Sequence, residues 1–195
     1  MFTGPSNLCL FWITFIMSLD TLTLRALEPG DIDVLLSIEN DKEFWKYSNQ
    51  REPFSRHLLE LFIAQQQHDI FEVKQRRYIL TNSSQKLLGI IDLFDFEPFH
   101  RRVGVGLIII PSERRKGMGK KALELIELHC TKNLNIHSLY ANIAIENESS
   151  IAIFEFCGFE NVGIKKEWNF YEDSFHDEFL YQKIIGIMYK RKLTV

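Results

Sequence analysis

The chain has 195 residues, of which 46% are hydrophobic, and it carries a formal net charge of −3 with a pI near 6.1. This length and composition predict one globular domain with an ample core. The slight acidic excess argues against a general nucleic-acid binder, because no dominant basic face offsets the acids. The three cysteines lack a Cys-x-x-Cys pair, which favours free thiols in a reducing compartment and a cytoplasmic location.

The two ends of the chain are predicted to lie outside the domain. Residues 8–17 are mostly apolar, but this run is short of the ~20 residues that span a bilayer. No basic residue precedes it and no small-residue cleavage motif follows, so we expect neither a secretory signal nor a membrane anchor. Residues 1–16 are predicted to be a dispensable extension, as an upstream start codon would produce. Residues 17–186 form the domain, and residues 187–195 form a short basic tail.

Hydrophobic periodicity divides the domain into alternating strands and helices. Alternation predicts a strand over residues 22–27, and an apolar run predicts one over 103–110. Strand-like segments cover residues 76–81, 87–96, 138–145, 163–171 and 175–184. Helical spacing predicts helices over residues 31–38, 43–47, 55–67, 117–132 and 148–156. This order indicates an α/β (α+β) fold, with a mixed sheet of about seven strands and helices on both faces.

The stretch 103–121 is the strongest local indication of a binding site. An apolar strand passes through Pro111 and a basic loop, containing Gly117 and Gly119, into a helix. A helix N-terminus of this kind presents unpaired backbone N–H groups and the positive end of the helix dipole to an anion. Basic residues of the stretch add charge; they are Arg114, Arg115, Lys116, Lys120 and Lys121. We therefore predict a phosphate site.

Two common nucleotide motifs do not fit this loop. A P-loop needs Ser or Thr after its lysine, whereas Lys120 is followed by Lys121. A Rossmann loop needs its first glycine at the strand end, whereas residues 111–116 separate the strand from Gly117. The pattern R-x-x-G-x-G over residues 114–119 does fit, but so short a motif recurs by chance, and by itself an ordinary turn with a solvated basic cluster would explain it.

A second motif, N-x-x-S-I-x-I-F-x-x-x-G-F over residues 147–159, follows the first along the chain. Together the two motifs resemble motifs A and B of the GNAT superfamily of acetyl-CoA-dependent N-acetyltransferases. The resemblance covers nearly all of residues 22–184. It implies the GNAT fold, with a mixed, mostly antiparallel central sheet, and it implies acetyl-CoA as co-substrate.

The resemblance also assigns cofactor contacts. The backbone amides of residues 115–120 would hold the CoA pyrophosphate, and the edge at residues 107–109 would pair with the pantetheine arm like an added strand. Side chains from the second motif would flank the remainder of the cofactor. The implied cofactor residues are Leu107, Ile108, Ile109, Arg114, Arg115, Lys116, Gly117, Met118, Gly119, Lys120, Asn147, Ser150 and Phe154.

Within the superfamily, the chain is most similar to the spermidine/polyamine N-acetyltransferases, with the ribosomal-protein Nα-acetyltransferases next. The segments that carry this similarity are L-R-A-L-E at 24–28, E-P-F at 52–54, Q-R-R-Y at 75–78 and H-R-R at 100–102. They imply acetylation of a primary amine on a small cationic substrate, with spermidine and spermine as examples, and by analogy a homo-oligomer. Acetylation of a protein N-terminus is the alternative within the same class.

The implied catalytic positions are Asn147 and Phe154. Phe154 stands where the family usually has a tyrosine, and a phenyl ring cannot protonate the departing thiolate. Three alternatives follow. Another group, such as Tyr140, Cys157 or water, supplies the proton; the thiolate leaves unassisted; or the chain binds acetyl-CoA as a sensor without efficient turnover.

Acidic residues are the candidates for binding the amine. By the resemblance, Asp95 and Glu52 occupy places where polyamine acetyltransferases use acidic ligands, and Asp92 belongs to the same acidic strand. Gly104 is a departure, since those enzymes commonly carry a glutamate there. The histidines are too scattered for metal-ligand spacing, so no metal site is predicted.

Overall fold

The computed structural model describes residues 22–45, 47, 50–66 and 68–186, so the predicted extension 1–16 and basic tail 187–195 lie outside the described residues. The strands are β1 Thr23–Ala26, β2 Arg76–Thr81, β3 Leu87–Glu97, β4 Arg102–Ile109, β5 Ser138–Ala144, β6 Glu160–Tyr171 and β7 Ser174–Ile184. The α-helices are α1 Ile32–Glu39, α2 Lys42–Trp45, α3 Arg56–Gln65, α4 Ile70–Val73, α5 Met118–Asn133 and α6 Glu148–Phe156. Short 3-10 turns cover Pro29–Asp31 and Pro111–Glu113.

The strands form one seven-stranded sheet in the order β1-β2-β3-β4-β5-β7-β6. Neighbouring strands are antiparallel except for β4 and β5, which run parallel and are joined through α5. The predicted mixed, mostly antiparallel sheet is confirmed. Within the described part of the chain, no helix is both long and apolar enough to cross a membrane.

Helices cover both faces of the sheet, because successive residues of the central strands point to opposite sides. On one face Val103 and Val105 belong to a core that includes Ala122 and Ile126 of α5 and Phe154 of α6. On the other face, a second core joins sheet residues to α1 and α3; its buried members are Leu27, Leu35, Ile38, Leu59, Ile63, Ile79 and Ile90.

The structure differs from the sequence prediction in two helical features: an additional helix, and the exposure of leucines on the apolar faces of the helices predicted over residues 55–67 and 117–132. The short helix α4 was not predicted; Asp69 caps it by accepting a hydrogen bond from the N–H of Phe71 at 2.8 Å. Leu58, Leu61 and Leu128, which were expected on buried faces, are about half exposed. The part of each helix that packs against the sheet is narrower than the apolar face read from the sequence, so these leucines lie at the edge of the packed face.

An ion pair fixes the connection from β1 to α1. The Asp31 carboxylate accepts two hydrogen bonds from the Arg25 guanidinium, both at 2.7 Å, and a third from the Glu28 backbone N–H at 2.9 Å. The Arg25 hydrogen bond, aided by the one from Glu28, outweighs burial and lowers the pKa of Asp31. The first turn of the helical layer is thereby attached to the edge strand.

Asp31→Asn should lower the free energy of unfolding near neutral pH by about 1.5–3 kcal/mol, the usual contribution of a hydrogen bond to a charged group. Because the pKa of Asp31 is lowered in the folded state, its contribution is complete above the unfolded value near 3.9 and is lost as pH falls through the folded value. Denaturant unfolding of both proteins at several pH values measures this.

Asp33→Asn is the matched control, because the side chain of Asp33 is 79% exposed in its ion pair with Arg56. We expect that variant to change stability by less than about 1 kcal/mol. Equal losses in the two variants would contradict the role given to Asp31.

Candidate active site

The central feature of the site is a gap between the two parallel strands. β4 pairs with β5 at only three positions, Arg102–Ser138, Val103–Leu139 and Gly104–Tyr140. Beyond Gly104, β4 stays paired with β3 as far as Ile109, and β5 stays paired with β7 as far as Ala144. The facing edges of residues 105–109 and 141–144 therefore separate into a V-shaped opening, with Gly104 and Tyr140 at its apex.

Aromatic packing explains why a glycine stands at the apex. A Cβ atom built on Gly104 would lie 2.3 Å from Cε2 of Phe94, so the Phe94 ring occupies the space of a side chain. Phe94 also packs edge-on against Tyr140, with ring centroids 5.7 Å apart. A glutamate in place of Gly104 is thus incompatible with the position of Phe94.

The apex carries one exposed carboxylate. Asp95, at a bulge in the β3–β4 pairing and with φ of +48°, accepts a hydrogen bond from the Tyr140 hydroxyl at 3.1 Å. Burial and the neighbouring Asp95 raise the pKa of Tyr140 to about 12, against the opposing effect of Arg102. Tyr140 therefore stays protonated at neutral pH and orients Asp95.

The loop between β4 and α5 is shaped to bind an anion. Arg115 and Gly117 both have positive φ, +61° and +76°, and α5 begins directly after Gly117. In the described part of the chain, the backbone N–H groups of residues 115–120 donate to no other protein group, whereas the Lys121 N–H donates to the Gly117 carbonyl at 3.3 Å. A row of free N–H groups at a helix N-terminus is a phosphate-binding arrangement.

Three of the five basic side chains in this stretch have partners within the protein. Arg114 donates to the Ile109 carbonyl at 3.1 Å, Lys116 pairs with Glu113 at 3.1 Å, and Lys120 lies 3.7 Å from Glu124. The Lys86 and Lys116 hydrogen bonds lower the pKa of Glu113. The anion-binding capacity of the loop therefore rests mainly on its backbone, and Arg114 occupies one carbonyl at the end of the open β4 edge.

The predicted residues of the second motif lie on α6, beside the start of α5. Asn147 caps α6 by accepting a hydrogen bond from the Ser150 N–H at 3.2 Å. A Cβ atom on Gly119 would lie 3.2 Å from Cγ1 of Ile153, which shows how closely the two helices approach. Phe154 is 4% exposed and packs edge-on against Phe159, so a core residue stands at the position predicted to be catalytic.

The three predicted acidic ligands do not come together. Asp92 accepts two hydrogen bonds from Arg77, at 2.6 and 2.8 Å, and Arg77 also pairs with Glu39. Burial would lower the pKa of Arg77, but the carboxylates of Asp92 and Glu39 outweigh it and raise the pKa of Arg77. The charged guanidinium therefore compensates the carboxylate of Asp92. Glu52 is exposed in the loop before α3. The structure brings only Asp95 to the apex.

A further group of polar residues, which the sequence did not reveal, lies on the β5 side of the opening. The Lys165 ammonium donates to Asn142 at 2.9 Å and to Glu178 at 3.0 Å. Farther out, the rings of His176 and Tyr171 stack in parallel with their centroids 3.7 Å apart, and both side chains form hydrogen bonds with Glu146. These contacts depend on how β5, β6 and β7 pair, and local periodicity does not specify that pairing.

A strand pair that opens beside a helix N-terminus is the arrangement expected of a protein that binds an extended, phosphate-bearing ligand between two strands. The family comparison agrees with this class, because the model of the acetyltransferase (GNAT) domain family matches residues 21–160. The chain belongs to the GNAT acetyltransferase family.

Individual relatives indicate which members of the family the chain resembles. The chain is 28% identical over 156 residues to a spermidine N(1)-acetyltransferase of Vibrio cholerae, covering 80% of this chain and 88% of the relative. It is 28% identical over 146 residues to the spermidine N(1)-acetyltransferase of Escherichia coli K12, covering 75% and 76%. The crystal structure of the Vibrio cholerae enzyme with CoA and spermine superposes with a TM-score of 0.77 at 26% identity, covering 84% and 95%. These findings confirm the predicted fold, superfamily and enzyme class.

Gly104→Ala should lower the free energy of unfolding by about 1–3 kcal/mol, because the new methyl group overpacks the Phe94 ring. Gly106→Ala is the matched control on the same strand face; there a Cβ would lie 3.7 Å from Asp92 Cβ, an ordinary contact. Urea titration of both variants measures the difference. Equal stability of the Gly104 and Gly106 variants would contradict the packing described for the apex.

Proposed function

We propose that the chain transfers the acetyl group of acetyl-CoA to a primary amine of a small cationic substrate, with spermidine and spermine as the substrates. The separation of β4 from β5 is the observation that carries this proposal. It exposes a strand edge that ends at the anion-binding loop, and together these match an extended ligand with a charged end.

The loop and the open edge support acetyl-CoA as the donor. The free N–H groups of residues 115–120 suit a pyrophosphate, and a Cβ atom at Gly117 would meet nothing within 4 Å, which leaves this part of the loop accessible. The edge of β4 at Leu107 offers backbone groups that an amide-containing arm can pair with, because the alternate residue Ile108 pairs with β3. The bound thioester supplies the activated acetyl group.

The acceptor end of the site suits an ammonium group. Asp95 lies at the apex, and the Tyr140 hydroxyl that donates to it keeps lone pairs free to accept from a ligand N–H. An amine must lose a proton before it attacks, and Asp95 is the carboxylate placed to receive that proton. The spermidine acetyltransferases to which the chain is similar act on substrates of this charge.

Among the residues that the structure describes, none of the groups considered as donors is placed to protonate the leaving thiolate. Phe154 has no hydroxyl, and the Tyr140 proton is donated to Asp95. The Cys157 thiol, whose pKa burial raises, lies at the C-terminal end of α6. A thiol with an ordinary pKa near 8.5 leaves without full acid assistance, so we expect turnover slower than in an enzyme with a tyrosine here.

The absence of a hydroxyl group at Phe154 also supports a second candidate function, a sensor that binds acetyl-CoA without turnover. Peptide N-termini are the other acceptor class to test, since the ribosomal-protein branch also resembles this chain. A cytoplasmic location and a homo-oligomer stay predictions.

Calorimetry with acetyl-CoA, followed by thiol release across a panel of polyamines and N-terminal peptides, separates these functions. We expect binding of acetyl-CoA and thiol release that depends on spermidine or spermine. Release only with peptides would favour the N-terminal acetyltransferase, and binding without release on any amine would favour the sensor. Absence of binding would refute the assignment of the loop and the open edge.

Phe154→Tyr should raise kcat, by up to about 10²-fold, if the missing acid limits the rate. Phe159→Tyr is the matched control, because Phe159 is equally buried and its ring packs against Phe154. Steady-state thiol release, with thermal unfolding of each variant, distinguishes catalysis from stability. An unchanged kcat would show that protonation of the thiolate is not limiting.

A further inference from the structure

We infer that Lys165 is an internal acetyl acceptor, which the chain acetylates on its own Nζ. This rests on the proposed function, because it requires acetyl-CoA in the opening between β4 and β5. Three observations support it: the position of Lys165, the groups that hold its ammonium, and the open space in front of it.

The position follows from strand register. Residues paired across neighbouring strands share a face, and so do alternate residues of one strand. Gly104 pairs with Tyr140, so Gly106 and Asn142, two residues further along, face the same side of the opening. Glu178 pairs with both Ala144 and Lys165, which places Lys165 on that side as well.

The groups around Lys165 are those that bind an ammonium substrate. Its Nζ donates to the Asn142 amide oxygen at 2.9 Å and to the Glu178 carboxylate at 3.0 Å, and lies 4.9 Å from the centroid of the Trp168 ring. The side chains of Lys165 and Glu178 are 27% and 13% exposed. A lysine of the chain thus occupies an ammonium site on the wall of the opening.

The space between β4 and β5 is open at the level of Asn142. Asn142 lies on the part of β5 that no longer pairs with β4, and Gly106 across from it has no side chain. If the arm of acetyl-CoA follows the β4 edge at Leu107, its acetyl end reaches the level of Gly106. Lys165 is then the lysine held against the opposite wall.

The reaction balances with the groups present. Lys165 gives one proton to Glu178, and its nitrogen attacks the carbonyl carbon of the thioester. The carbon–sulfur bond breaks, the nitrogen passes its second proton to the departing thiolate, and Glu178 then releases its proton to solvent. The products are Nε-acetyl-Lys165, CoA thiol and one released proton. The modified side chain has no charge, so Glu178 loses its cationic partner and becomes available to an external ammonium.

Incubation of the full chain with isotopically heavy acetyl-CoA, followed by peptide mass spectrometry, tests the inference. Because Lys165 is already oriented, heavy acetyl should appear there at least about 10²-fold faster than on Lys166, the exposed neighbour. The rate should not change when the protein is diluted, since the transfer occurs within one chain. Glu178→Gln should slow labelling of Lys165 and leave labelling of Lys166 unchanged.

Two controls separate this inference from the proposed function. Acetyl-CoA binding and thiol release with spermidine are measured on the same preparation, and Lys165→Arg removes the acceptor while keeping the charge. If amines are acetylated but Lys165 is labelled no faster than Lys166, the inference is wrong and the proposed function stands. Labelling that rises with protein concentration would also overturn it. Absence of acetyl-CoA binding would overturn both.

Discussion

The contact between the Phe94 ring and Gly104 is the constraint on which the site depends. The ring fills the space above a glycine and packs against Tyr140. Two parallel strands are joined on one side of this point and separated on the other. The opening begins at Gly104 and Tyr140, the last residue pair between β4 and β5, and Phe94 packs against both of these residues.

Charge is distributed unevenly around the opening, and this follows from which carboxylates have partners. Arg77 neutralises Asp92 from within the protein, and Lys165 does the same for Glu178. Among the described residues, the hydrogen-bond partner of Asp95 is a neutral hydroxyl, that of Tyr140. A site that was expected to be broadly acidic therefore presents one principal negative charge at its apex, which favours recognition of a single ammonium at the reacting end.

The sequence predicted the features that depend on neighbouring residues. All seven strands were predicted from alternation, an apolar run or strand-like composition, and the anion loop was predicted from a strand, a glycine pair and a helix start within residues 103–121. It did not predict side-chain partners separated along the chain. Asp95 and Tyr140 are 45 residues apart, Arg77 and Asp92 are 15, and Lys165 and Asn142 are 23. Those contacts depend on strand register, which a single chain's periodicity leaves open. Helix α4 was missed, whereas α2, which is equally short, was predicted, because four residues are too few for periodicity to decide.

The exposed edge of β4 also has a mechanical consequence. The sheet consists of two blocks, β1–β4 and β5–β7, whose strands are joined at only three residue pairs. Motion of one block against the other therefore meets little resistance from hydrogen bonds beyond the apex. A ligand that adds backbone pairing along the open edge at Leu107 would act as a missing strand. It would slow amide exchange along that edge and raise the melting temperature with the logarithm of its concentration above Kd.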